Sequence, residues 1–122
     1  LLVIFLAMRV VRLRRRHKIG LGHGDNQELL QAVRAHANAT ENMPLALILL
    51  GSLELTGVSP LAINILGGTF LFSRIIHAWG VSRNEGYSRG RFWGMALTWL
   101  PMIVMAVFAI VASIGAQIPT IN

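Results

Sequence analysis

The sequence predicts an all-α protein, a transmembrane four-helix bundle, and three observations carry that expectation. Hydrophobic side chains make up 54% of the 122 residues and charged ones only 13%, at a mean hydropathy of +0.60. No charged residue occurs from Phe92 to Asn122. The eleven Lys and Arg, which give a formal net charge of +6 against five Asp and Glu, fall within or beside two of the connections between apolar runs. A water-soluble domain of this size exposes too much surface to hide so many apolar groups, and the long apolar runs exclude disorder. The length holds one domain, over 1–122. Without cysteine there is no disulfide framework, no thiolate metal site and no cysteine nucleophile.

The first helix is expected over 1–17. Its apolar part, Leu1 to Met8, is too short for a bilayer, which takes ~20 residues at a 1.5 Å rise. Basic residues follow the apolar stretch, the reverse of a signal peptide, so the segment reads as the tail of a helix whose start lies before Leu1. Gly20, Gly22 and Gly24 then mark a flexible connection; with no strand before them they are not a dinucleotide fingerprint. Asp25 to Glu28 has capping-box spacing, with Asp25 as N-cap and Glu28 reaching back, and starts a second helix over 26–57. This helix is amphipathic from Gln27 to Asn42 and enters lipid near Pro44; its apolar part, Met43 to Val58, carries one acid, Glu54.

Gly57-Val58-Ser59-Pro60 is a tight turn into a third helix over 60–82. That helix is apolar from Leu61 to Trp79, interrupted by Asn64, Ser73, Arg74 and His77. A fourth, over 90–116, holds the charge-free run; Met95 to Gly115 suffices to cross a bilayer, and Pro101 within it is expected to kink the helix, not break it. Arg9, Arg12, Arg14, Arg15, Arg16, Lys18 and Arg34 lie between the first two spans, and Arg74, Arg83, Arg89 and Arg91 at or near the connection between the last two. By the positive-inside rule both basic connections are cytoplasmic and both termini are on the far side.

Ionisable groups are costly in lipid, so they pair or line a wet cavity, and three sets stand out. At ~100° per residue, Arg34, Asn38 and Glu41 fall in one narrow stripe of the second helix, with small alanines at 35, 37 and 39 around it. A guanidinium fork, an amide and a carboxylate are the groups a zwitterionic peptide needs; the alternative is a charge pair that ties the helix together. Arg74 and His77, three residues apart, are neighbours on the third helix. His77 suits a proton carrier or a ligand contact, while Arg74 has snorkelling to the interface as its alternative. His36 and His77 lack two further ligands at fitting spacing, so no metal is expected. The third set is the cationic connections: six of the ten residues from Arg9 to Lys18 are basic, and most hold topology and touch anionic headgroups. Arg12, one turn past the apolar run, is the best placed to turn inward, and Arg91, just before the fourth span, can do likewise. No nucleic-acid docking module stands behind this charge.

Val11-Arg12-Leu13-Arg14, then Arg34-Ala35-His36-x-Asn38-x-x-Glu41-Asn42-x-Pro44, then Arg74-x-x-His77 and a late arginine before a charge-free helix together resemble the MAPEG family, the membrane-associated proteins in eicosanoid and glutathione metabolism. The likeness runs from about Arg9 to the fourth span and points to the bacterial branch, hence to a bacterial inner membrane. It implies a homotrimer of four-helix bundles, with glutathione as co-substrate bound in a U-shape at the cytoplasmic side between subunits. Arg12, Arg34, Asn38, Glu41 and His77 match positions that contact glutathione, His36 a position that sometimes does, and Arg74, the neighbour of His77, is expected to bind glutathione with them. Arg91 matches the arginine that activates the thiol, with Arg12 in support. Val81 stands where a tyrosine often occurs, Phe92 where some members have serine, and Met95 and Trp99 where the prostaglandin synthase has tyrosine or glutamine; these departures leave the glutathione anchors and remove support for the eicosanoid activities. Tyr87, in the loop, is the only tyrosine.

The implied function is a glutathione-dependent transferase or peroxidase. A thiol with a pKa of ~8.5 is only a few per cent ionised at neutral pH, and a guanidinium in a low-dielectric pocket favours the anion. The thiolate would attack a lipophilic electrophile or hydroperoxide arriving from membrane lipid, near Phe92, Trp93 and Met95. The rival is a non-catalytic lipid- or glutathione-binding protein on the same frame. A transporter finds little support, because no span is broken in inverted positions.

Overall fold

The computed structural model describes residues 1–83 and 89–117. Tyr87 and the connection 84–88 lie outside the described residues. Four helices follow one another: α1 (Leu2–His17), α2 (Gln27–Leu55), α3 (Pro60–Arg83) and α4 (Arg89–Gln117). Among the described residues there is no strand.

Local chemistry sets the ends. α1 closes on Arg14, Arg15, Arg16 and His17, where cations complement the partial negative charge of the helix terminus. Lys18 stops it in the left-handed region at φ 55°, and the Arg14 guanidinium donates to the Gly20 carbonyl at 3.2 Å, tying down the exit. The N-cap of α2 is Asn26, not Asp25: the Asn26 side-chain oxygen accepts from the Leu29 backbone N–H at 2.8 Å. The reason is backbone geometry. Asp25 sits at φ 57°, whereas a cap must be extended, as Asn26 is at φ −86°, ψ 108°. After α2, Gly57 takes φ 79° and its N–H donates to the Glu54 carbonyl at 3.1 Å, a left-handed stop that suits glycine. Pro60 occupies the first turn of α3, where its missing N–H costs nothing. α4 runs unbroken through Pro101 and α2 through Pro44.

Consecutive helices pack antiparallel. On α1 and α2, Leu13 meets Leu29 and Ala32 while Leu6 meets Ala35 and Ala39. α3 packs most extensively against α4, and glycine permits it. A Cβ built on Gly94 would stand 2.6 Å from the His77 Cα, and one on Gly80 would stand 2.7 Å from the Arg91 backbone nitrogen. Gly90, Gly94 and Thr98 form a small-residue edge with a step of four along α4. In lipid, where apolar side chains gain nothing by leaving the solvent, such close approach is what holds helices together. The opposite half of the bundle is filled by Ala46, Leu53, Phe70 and Met105.

Among the described residues, two helices are by length and hydropathy apolar enough to cross a membrane, Pro60–Ser82 and Arg89–Gly115, with mean hydropathies of 1.4 and 2.3. Most of each faces outward: Ile65, Phe72 and Trp79 on α3, and Ile103, Val107 and Ile110 on α4, are exposed. α1, at 16 residues, is shorter than a span, and the polar first half of α2 separates that helix from the other two. Glu54 is exposed in the last turn of α2.

Candidate functional site

Three helices each contribute one stripe to a single cavity of about 710 Å³, within the ~300–1,000 Å³ range of small-molecule sites. α2 supplies Arg34, Ala37, Asn38 and Glu41, at steps of three and four residues that place them on one face. α3 supplies His77 and Val81, and α4 supplies Arg91, Phe92, Met95, Ala96 and Trp99. The cavity therefore has a polar side, with two guanidiniums, an amide, a carboxylate and an imidazole, and an apolar side of Phe92, Met95 and Trp99. Trp93 does not line it; its ring packs edge-on against Phe92 with centroids 5.5 Å apart. Arg34 and Glu41 are exposed and Asn38 and Arg91 half-buried, whereas His77 is 6% exposed.

Behind the polar side lies a sealed layer. Arg74 is 0% exposed, neither snorkelling nor at the cavity surface. Its Nη1 donates to the Thr98 hydroxyl at 3.0 Å, and its Nη2 donates to Asn38 Oδ1 at 2.5 Å and meets His77 Nδ1 at 3.2 Å. Thr98 Oγ1 lies 2.9 Å from Ser73 Oγ and 2.6 Å from the Gly94 carbonyl, and Ser73 Oγ lies 2.6 Å from the Phe70 carbonyl. Two hydroxyl hydrogens serve these three contacts, and in either arrangement a Thr98 lone pair remains for the arginine. Among the described residues no carboxylate pairs with Arg74, and its Nε is buried without a partner. A guanidinium buried on neutral acceptors alone is costly, and helix packing fixes it there from three sides.

The structure thus brings together Arg34, Asn38, Glu41, His77 and Arg91, with Arg74 directly behind two of them. It places Arg12 elsewhere, in a smaller cavity of about 310 Å³ with Phe5, Met8, Arg9, Leu13, Arg16 and Glu28. His36 is half-buried and lines neither cavity. Arg9 joins α1 to the end of α3 through a hydrogen bond from its Nη1 to the Ser82 hydroxyl. Sequence reasoning missed Ser73, Thr98 and the glycines at 80, 90 and 94. For Gly90, Gly94 and Thr98 the signal was present in the four-residue repeat of small side chains on α4, which marks a close helix contact.

Over residues 1–111 the sequence matches the MAPEG family. It is similar to the inner membrane protein YecN of Escherichia coli K12, with 33% identity over 105 residues, 86% of this chain and 79% of YecN. The same figures hold for YecN of Escherichia coli O6:H1. With four helices, two of them apolar enough to cross a membrane, and this match over nearly the whole chain, the protein belongs to the MAPEG family and is a membrane protein.

Proposed function

We propose that the cavity binds glutathione and activates its thiol, making the protein a glutathione-dependent membrane transferase or peroxidase. The observation that carries this reading is the convergence of Arg34, Asn38, Glu41, His77 and Arg91 opposite an apolar wall of Phe92, Met95 and Trp99. Each group has a counterpart in the tripeptide. Guanidinium forks take its carboxylates, Glu41 takes its ammonium, and amide and imidazole take its peptide groups, a carboxylate oxygen or the sulfur. Arg91 lies where the polar side meets the apolar one, the place for a thiol that must react with a lipophilic partner. A guanidinium that lowers the thiol pKa by two units supplies ~2.7 kcal/mol of preference for the thiolate. The thiolate then forms a bond to an electrophilic carbon as the leaving group departs with its electron pair. With a hydroperoxide it takes the terminal oxygen and releases the alcohol, and a second glutathione converts the resulting sulfenic acid to disulfide and water.

Arg12 lies away from this cavity within one chain, so its part in binding requires a neighbouring copy; the reading accordingly includes a homotrimer with the site between protomers. It also places the protein in a bacterial inner membrane with both basic connections on the cytoplasmic side, which the uneven distribution of Lys and Arg supports.

Calorimetry on the detergent-purified protein tests the binding. Arg34→Ala, Asn38→Ala and Glu41→Ala are each expected to weaken glutathione at least tenfold, or ~1.4 kcal/mol; unchanged affinity in all three would make the stripe structural. Arg91→Ala is expected to abolish thiolate absorbance near neutral pH while glutathione still binds, and to end turnover of a generic aryl halide. Thiolate that persists in that variant rules out Arg91 as activator. Glutathione bound by the unaltered protein without turnover of any electrophile would support instead the non-catalytic lipid- or glutathione-binding protein.

A further inference from the structure

Arg74 is the most deeply buried charge among the described residues, and it touches two side chains that line the cavity without lining it itself. Arginine has only donors and stays charged in proteins, which dictates what its partners must offer. Asn38 must present its oxygen, so its –NH₂ group is the part left for the cavity. His77 must present an unprotonated Nδ1, so its proton sits on Nε2, the ring nitrogen left for the cavity. Thr98 completes the cradle by accepting from Nη1 at 3.0 Å.

We propose that Arg74 is a positioning residue that commits the Asn38 amide and the His77 ring to face the cavity as N–H donors, so that this wall receives an anionic group of the ligand, a carboxylate or the thiolate. The consequence for the ligand rests on the glutathione reading; the orientation of the two side chains does not. Two N–H donors on a lining that also holds Arg34 and Arg91 make that wall an anion receptor, and among the described residues Glu41 is the one acceptor of full negative charge on the cavity lining. Arg74 also adds its own charge from behind, where water cannot screen it. Its fork spans three acceptors on three helices, which a lysine ammonium, a point charge on a flexible stem, would not hold in one geometry.

The first test needs no ligand. With ¹⁵N-labelled histidine rings in detergent micelles at alkaline pH, His23, in the connection between α1 and α2, is expected to show tautomer-averaged shifts. The His77 signal, identified by its loss in His77→Gln, is expected to show a single tautomer with the proton on Nε2. A proton on Nδ1, or averaging like that of His23, overturns the proposal whether or not glutathione binds. A single Nε2–H tautomer in a protein that ignores glutathione supports the positioning role and removes only the glutathione reading.

The second test compares glutathione with its glycyl ethyl ester, which lacks one carboxylate, and with S-methylglutathione, which lacks the thiolate. Arg74→Met is expected to weaken glutathione at least tenfold and to leave the affinity of one analogue nearly unchanged; that analogue identifies the anion held at the wall. Equal loss for all three ligands, with the His77 tautomer unaltered, assigns Arg74 to structure alone and overturns the proposal. If Arg74→Met fails to fold, Thr98→Val, which removes one acceptor of the guanidinium outside the cavity lining, takes its place with the same readouts and a smaller loss.

Discussion

The two halves of the α2–α3–α4 bundle are built on different principles. Toward the basic end, α3 and α4 meet through Gly80, Gly90 and Gly94 and through a hydrogen-bonded chain of Ser73, Thr98, Arg74, Asn38 and His77. Toward the other end the same helices meet through Ala46, Leu53, Phe70 and Met105, with no charge between them. The apolar half is what a membrane bundle needs for cohesion, since dispersion contacts accumulate over close-packed side chains. The polar half goes against that economy. Among the described residues it buries a guanidinium without a counter-charge and leaves a cavity beside it, an arrangement that stability alone does not call for and that the proposed binding site would use.

Substitutions should separate the halves. The largest stability effect is expected from Phe70→Ala, which empties the apolar core for about 3 kcal/mol; equilibrium unfolding in detergent should show the loss while ligand affinity per folded molecule holds. If affinity falls with stability, the halves are coupled and the contrast fails. Next comes Gly94→Ala. Its new methyl has no room against the His77 backbone, so α3 and α4 must part at a cost of about 1–3 kcal/mol, and binding should drop by more than the stability does, because His77 and Arg91 are carried apart. Binding retained in a destabilised Gly94→Ala protein would show that the cavity does not depend on that close approach. The smallest effect is expected from Asn26→Ala, about 1 kcal/mol from a lost N-cap, measurable as fraying of the first turn of α2 by hydrogen exchange, with both halves intact.

Much of the site was legible in local spacing, and the remainder fails for identifiable reasons. Arg34, Asn38 and Glu41 share a face because three- and four-residue steps dictate it, and the structure puts all three on one cavity. His36 came from family likeness, not periodicity; two residues from Arg34, it turns ~200° away, and it lines neither of the two cavities described. Arg74 offered two readings, snorkelling or facing a ligand, and takes neither, because acceptors from α2, α3 and α4 converge on it. Asp25 and Asn26 are both capable caps by composition; the left-handed turn at Asp25 decided between them. Arg12 looked the best placed to turn inward, with Arg91 able to do likewise, yet of the two Arg91 reaches the larger cavity of its own chain.

The amino-acid order by itself determined that this is an all-helical membrane protein, where its charges concentrate and which α2 residues form a stripe, because hydropathy, charge and helical period are properties of neighbours along the chain. What only the tertiary structure decided is which of the arginines is sealed, which lines the cavity and which stands apart. Those outcomes depend on how closely two helices approach at a glycine and which acceptors a third helix brings to the same point, and no local pattern encodes a distance between segments separated by tens of residues.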